Sequence, residues 1–106
     1  MSTSIPDTAR TAVKVRDHFR CARCLAPAPN GHWHHRRSRS VIDRHQHCAC
    51  NGVWLCGLCH LWVHENPVKA RATGFIVSKF ETEPFRIPIE NPLGVRFQDC
   101  SGKATY

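Results

Sequence analysis

The stretch Cys56-Gly-Leu-Cys-His-Leu-Trp-Val-His64 carries two thiols and two imidazoles within nine residues. Cys56 and Cys59 form a Cys-x-x-Cys pair, a spacing that lets both sulfurs bind one ion. If the segment is helical, His60 and His64 lie on one face, one turn apart, as two ligands of one ion require. Because neighbouring helical residues point in different directions, Cys59 and His60 would serve different ions. The stretch therefore predicts two metal sites on one helix.

A second Cys-x-x-Cys pair, Cys21 and Cys24, lies upstream. Together with Cys56 and Cys59 it completes a set of four thiolates, which is typical of a closed, tetrahedral structural zinc site. A single pair could instead be a redox dithiol, but two pairs in one short chain favour zinc. For the paired histidines, the alternatives to a catalytic ion are a solvated pair and a mixed Cys/His zinc knuckle.

The chain has 106 residues, which predicts one domain, 1–106. Because so short a chain buries a limited fraction of its surface, a metal that ties segments together is physically useful. The seven cysteines are odd in number, and the opening Met-Ser-Thr-Ser-Ile-Pro-Asp has no basic and then apolar run. We therefore expect a reducing, cytoplasmic setting rather than an extracellular disulfide set. No stretch approaches the ~18 apolar residues of a membrane span, so we expect no membrane partner.

The formal net charge is +7 with histidine neutral. Such an excess favours a polyanionic partner, and nucleic acid is the first candidate. The alternative is that the charge only keeps the surface solvated.

The coarse pattern predicts an N-terminal helix, a hairpin with a long basic loop, and a second helix that ends before Pro67. We place the first helix at about 7–19 and the hairpin at 33–55, and we expect the second helix to begin at about Gly57. After it we expect a short helical turn, extended runs at 75–78 and 86–89, an edge strand at 95–97 and a loose polar tail at 98–106.

Two histidines, His34 and His35, stand where the first strand of the hairpin is expected. Strand alternation sends them to opposite faces, unless a bulge or the strand end re-aims one of them. The alternative, a basic loop with incidental histidines, is disfavoured by the histidines downstream. Cys48 and Cys50 could compete for the structural zinc, but we interpret them as free thiols.

The order of these residues along strand, loop, strand and helix resembles the HNH endonuclease family. The pattern runs His35, Asn51 and His60, with His34 and His64 as flanking ligands. One Cys-x-x-Cys pair precedes the pattern and the other lies directly before His60. The match covers about 20–66. Within the C-terminal extension, 67–106, the run from Pro67 to Ile89 resembles the short extensions of small phage and actinobacterial members. The resemblance implies an α+β fold: a small, zinc-braced ββα-metal (His-Me finger) domain with an N-terminal helix and short C-terminal strands.

The resemblance also implies a function, a metal-dependent DNA endonuclease that hydrolyses phosphodiester bonds. In such a site His34, His60 and His64 would bind one divalent ion, and His35 would be the general base that activates water. Asn51 would hydrogen-bond backbone across the hairpin loop and hold His35 in place. The products would be a 5′-phosphate and a 3′-hydroxyl.

The histidine at position 34 affects which divalent ion the expected catalytic site would prefer. Many family members have Asp there, whereas His34 resembles the nuclease colicins, whose site is rich in imidazole. Three nitrogens suit zinc, nickel, cobalt or manganese better than magnesium. The expected cofactors are thus a structural Zn²⁺ and one catalytic divalent ion, with its identity left open among these five.

The expected partner is double-stranded DNA. Three basic residues follow the proposed base, and we place Arg36, Arg37 and Arg39 on the DNA backbone near the cut. The oligomeric state stays open between monomer and dimer, and a phage-encoded protein in the host cytoplasm is one setting that the resemblance implies. The competing hypothesis is a non-catalytic zinc module that binds nucleic acid or protein.

Overall fold

A two-stranded hairpin followed by a helix forms the centre of the protein, in a computed structural model that describes residues 4–106. The first three residues of the predicted 1–106 domain lie outside the described part. In chain order the helices and strands are α1 (Asp7–Arg16), β1 (His32–His35), β2 (Gly52–Leu55), α2 (Gly57–Glu65), α3 (Pro67–Ala72), β3 (Ile89–Asn91), β4 (Gly94–Gln98) and β5 (Ala104–Thr105). The protein is thus a small α+β structure with two short sheets.

The hairpin forms where the sequence predicts it. β1 and β2 are antiparallel, and their pairing runs without a bulge from His32 opposite Leu55 to His35 opposite Gly52. Gly52 is required by packing, since a Cβ there would lie 2.3 Å from Cζ2 of Trp33. β2 is buried along its whole length, which explains its short run of apolar residues.

The hydrophobic core lies between the hairpin, α1 and α2. Its largest members are the two tryptophans of the hairpin, and both indoles donate hydrogen bonds to backbone. Trp33 Nε1 donates to the carbonyl of Ala9 (3.2 Å), and Trp54 Nε1 donates to that of Ala28 (2.7 Å). Buried indoles normally have such partners, and these two fix α1 and the segment before β1 against the sheet.

α1 ends at Arg16, three residues before the predicted end, because the next residues leave the helical conformation. His18 and Phe19 have positive φ values of 57° and 58°. Asp17 is buried and accepts hydrogen bonds from Arg16 and from the backbone N–H of Trp54, and it forms an ion pair with Arg96. This paired carboxylate joins the helix end to both sheets.

The C-terminal segment corrects two predictions. The strand expected at an edge is β4, which lies in the centre of a three-stranded antiparallel sheet between β3 and β5. The tail expected to be loose contains β5 and begins with Gln98, which is buried. Gln98 Nε2 donates to the carbonyls of Cys50 and Gly52 at 2.9 and 2.8 Å. Side-chain to backbone bonds of this kind leave no hydrophobic pattern in the sequence.

None of the helices within residues 4–106 has the length and apolar character needed to cross a membrane.

Candidate metal centre

The four cysteines of the two Cys-x-x-Cys pairs come together, with one sulfur of each within 4.8 Å of the others. Cys24 Sγ and Cys56 Sγ are 3.9 Å apart. Two sulfurs bound 2.3 Å from a tetrahedral ion would be separated by about 3.8 Å, so this spacing fits one ion. The predicted four-cysteine cluster is therefore assembled at the start of α2.

Two hydrogen bonds in the four-cysteine cluster favour thiolates, whereas burial favours the neutral thiol at Cys59. Cys56 caps α2, and its sulfur accepts from the N–H of Cys59 at 3.4 Å. Arg23 Nη1 donates to the Cys59 sulfur at 3.5 Å. Burial raises the pKa of the Cys59 thiol to about 12, so a cation is needed to hold that group as a thiolate. The four-cysteine cluster could therefore hold a structural metal ion.

A second group is formed by His34 on β1 and by His60 and His64 on α2. One ring nitrogen from each lies within 4.8 Å of the others. His60 Nε2 and His64 Nε2 are 3.2 Å apart. Two nitrogens bound 2.0–2.1 Å from a tetrahedral ion would be about 3.3 Å apart, so the spacing is that of two ligands of one ion. This imidazole cluster contains the three predicted ligands.

Hydrogen bonds orient two of the three rings. His34 Nε2 is 2.7 Å from the carbonyl oxygen of Phe75 and must donate to it, which leaves Nδ1 with a free lone pair. Metal-bound histidines usually donate their other ring N–H in this way. His60 Nδ1 is 2.8 Å from His32 Nδ1, so its Nε2 faces His64. His32 was missed by the sequence reasoning, although its place two residues before His34 on a strand puts it on the same face.

The electrostatics of the cluster favour neutral rings. Burial lowers the pKa of His34 to about 4. Burial also lowers the pKa of His60, and the neighbouring His64 adds to the effect. An imidazole must be neutral to bind a metal, so these rings are ready to accept an ion at neutral pH.

His35 points to the other face of β1, as strand alternation predicts. Its ring contacts the ring of Trp33, with centroids 4.5 Å apart, and its Nε2 lies 3.1 Å from His47 Nδ1. Burial lowers the pKa of His35 to about 4, and the charge of Arg39 contributes next. The ring is therefore neutral at pH 7 and able to accept a proton. His47 belongs to the long loop, where no periodic pattern pointed to it.

Asn51 ties the end of β1 to the hairpin loop. Its Oδ1 accepts from the backbone N–H of Arg37 at 2.9 Å, and its Nδ2 donates to the carbonyl of Gln46 at 3.0 Å. The backbone carbonyl of Asn51 accepts from the N–H of Arg36 at 2.9 Å. These bonds fix the backbone directly after His35, as the resemblance implies for this residue.

The prediction that Arg36 and Arg37 contact DNA is wrong, because both side chains are only 1% exposed. The guanidinium of Arg36 donates to the carbonyls of Cys50, Gly74 and Ile87. That of Arg37 donates to the carbonyl of Glu81 and pairs with Asp43. Both guanidinium groups therefore have partners inside the protein. Of the three predicted residues, only Arg39 is exposed.

A cleft of about 420 Å³ is lined by two members of the imidazole cluster and by His35. His34, His35 and His64 all line it. Its other walls include Arg71, Lys79 and Phe80, three exposed residues that the sequence reasoning did not select. They lie outside the region of the resemblance, and their sequence neighbourhood has no motif. The cleft thus places two cationic side chains and an exposed aromatic ring next to the candidate site.

Comparison with known proteins gave no matching family model, no matching curated protein and no matching solved structure.

Proposed function

We propose that this protein is a metal-dependent DNA endonuclease of the HNH type, built on a ββα-metal core. The observation that carries the proposal is a three-imidazole cluster, two of whose members, His34 and His64, line the same cleft as His35. Three protein ligands leave a tetrahedral ion one open position, as catalytic sites require and structural sites do not. The four-cysteine cluster nearby has no such opening, because it already supplies four ligands.

Within this proposal His35 is the general base. A proton on His35 Nε2, donated to His47 Nδ1, leaves the lone pair of His35 Nδ1 for the proton of a water molecule. The water oxygen attacks phosphorus, the bond to the 3′ oxygen breaks, and that oxygen leaves as a hydroxyl after taking up a proton. The pKa of about 4 makes free His35 a weak base. A bound phosphate would raise it, since a nearby anion stabilises the imidazolium.

A divalent ion held by His34, His60 and His64 would supply neutralisation of the phosphate charge and stabilisation of the leaving 3′ oxygen. Imidazole ligands favour zinc, nickel, cobalt or manganese over magnesium.

The proposed substrate is duplex DNA. Its backbone would contact the cationic rim of the cleft, Arg71 and Lys79, and the exposed Arg39, whose charge acts on His35. These residues supply charge but no base-reading geometry. The formal net charge of +7 acts in the same direction, because it attracts a polyanion over a longer range.

The direct test is nicking of supercoiled plasmid by the purified protein, after exchangeable ions have been removed and each of the five ions has been added back separately. We expect no cutting without an added ion and cutting with at least one imidazole-preferring ion. His60→Ala should abolish the ion-dependent activity. Leu61→Ala, which changes an exposed neighbour on the same helix, should keep it.

A parent protein that cuts with none of the ions, while it is folded and binds DNA, would contradict the proposal. That result would instead favour a non-catalytic zinc module. The cut ends give a second check, because the proposed attack leaves 5′-phosphates that ligase can reseal with the 3′-hydroxyls.

A further inference from the structure

We propose that His45, Cys48, Cys50 and Cys100 form a second structural zinc site. One ligand atom of each lies within 4.8 Å of the others. This mixed cluster of three cysteines and one histidine is separate from the two groups described above and shares no residue with them. The proposal does not depend on the endonuclease activity, since a protein that cuts no DNA would still hold this ion.

The distances in the mixed cluster fit one tetrahedral ion. His45 Nδ1 is 3.7 Å from Cys50 Sγ and 3.7 Å from Cys100 Sγ. A nitrogen bound at 2.0–2.1 Å and a sulfur bound at 2.3 Å on the same tetrahedral ion would be about 3.6 Å apart. Both sulfurs therefore lie at the distance from His45 Nδ1 that is expected for ligands of the same ion.

The donor set is selective. Three cysteines and one histidine form one of the common closed zinc sets, and thiolates exclude hard ions such as magnesium. His45 and Cys50 are buried, and the ring of Phe85 lies 5.9 Å from the ring of His45. All seven cysteines of the chain are free thiols, so no disulfide competes for these three sulfurs. Under this proposal Cys48 and Cys50 are metal ligands, in place of the free thiols expected from the sequence.

The position of the mixed cluster suggests a structural role for the ion. His45, Cys48 and Cys50 come from the loop between β1 and β2, and Cys100 comes from the turn between β4 and β5. A connection this long without strands or long helices rarely holds one shape unless something braces it. A zinc ion would fasten the loop to the second sheet, next to the bonds that Gln98 makes to the same loop.

Zinc binding would require one local change. Arg44 Nε lies 3.3 Å from His45 Nε2 and faces it as a donor. With an ion on Nδ1 the proton of the neutral ring moves to Nε2, so the two donors would oppose each other. Arg44 is exposed and can turn into solvent at little cost.

The test measures the number of zinc ions per chain by elemental mass spectrometry. It uses a His60→Ala background, which removes the imidazole cluster. We expect two zinc ions per chain in this background and one after Cys100→Ser or His45→Asn is added. His18→Asn, which removes an exposed histidine outside all three clusters, should keep both ions. Cys100→His should also keep both, since imidazole can replace the thiolate.

One zinc ion in the His60→Ala background, or two after Cys100→Ser, would overturn the proposal. X-ray absorption at the zinc edge keeps the test valid even if the cysteine variant fails to fold, because it needs only the His60→Ala protein. Two ions sharing seven thiolates and one imidazole give an average of about 3.5 sulfurs and 0.5 nitrogens per zinc. A pure four-sulfur signal would mean that only the four-cysteine cluster binds zinc.

Discussion

The two ends of α2 carry metal-binding side chains of different chemistry. At its start, Cys56 and Cys59 join Cys21 and Cys24 in a group of four thiolates that leaves an ion no open position. Further along, the helix offers only two imidazoles, and β1 adds a third beside an open cleft. In the proposed function, the number of protein ligands, rather than the helix that carries them, would separate a structural site from a site able to take a substrate.

The largest effect should follow from breaking the four-cysteine cluster. Cys56→Ser removes a metal ligand, while the serine hydroxyl can still cap α2. We expect loss of one zinc ion and unfolding of the domain, because metal binding in small domains is coupled to folding. Circular dichroism and zinc analysis measure both. Leu58→Ser, on the same turn and exposed, is the matched control and should change neither. A Cys56→Ser protein with parental zinc and spectrum would refute the assignment.

The next effect concerns the proposed base. His35→Ala should lower plasmid nicking by about 10²-fold or more, the loss typical of removing a general base. Metal content, melting temperature and DNA affinity should stay near those of the parent, since His35 belongs to none of the three clusters. Cutting at the parental rate with fold and metal intact would place the base elsewhere.

A smaller effect is expected from the residue that orients His35. His47→Ala removes the 3.1 Å contact to His35 Nε2, and we expect roughly a 10-fold fall in kcat with little change in KM. His47→Gln keeps a hydrogen-bonding group and should recover part of the loss. If Gln and Ala were equally impaired, or if KM carried the effect, His47 would not act through the ring of His35.

The smallest effect tests the cationic rim of the cleft. Parental affinity for duplex DNA should fall steeply with added salt, and Lys79→Ala should reduce the slope of log affinity against log salt by about one unit. Lys103→Ala, which removes an exposed cation that does not line the cleft, is the control. An unchanged slope for Lys79→Ala would mean that DNA does not pass along this side.

The hairpin and α2 could be predicted because their signals are local. The Cys-x-x-Cys spacing, the interval between His60 and His64, and the proline after α2 each act within a few residues. Strand alternation predicted opposite faces for His34 and His35 unless a bulge or the strand end intervened, and the register of the hairpin contains no bulge.

The remaining features depend on contacts that no local pattern records. Arg36 and Arg37 directly follow the strand that carries His34, and their sequence suggests a basic surface. In the structure, carbonyls from distant segments surround their guanidinium groups. Cys100 looks like a lone thiol in a polar tail until β4 and β5 bring it to His45. In both cases the long-range contacts are made by polar groups. Hydrophobic periodicity in a sequence detects only the burial of apolar side chains, so it does not reveal them.

The most direct test of the central claim, that α2 contributes to one closed thiolate site and one open imidazole site, is anomalous diffraction from crystals soaked with cobalt or nickel. We predict an anomalous peak for the added ion about 2.0–2.1 Å from ring nitrogens of His34, His60 and His64, and a separate zinc peak among the four sulfurs. Added metal that appears only at the sulfur clusters, with no peak among the three imidazoles, would contradict the account.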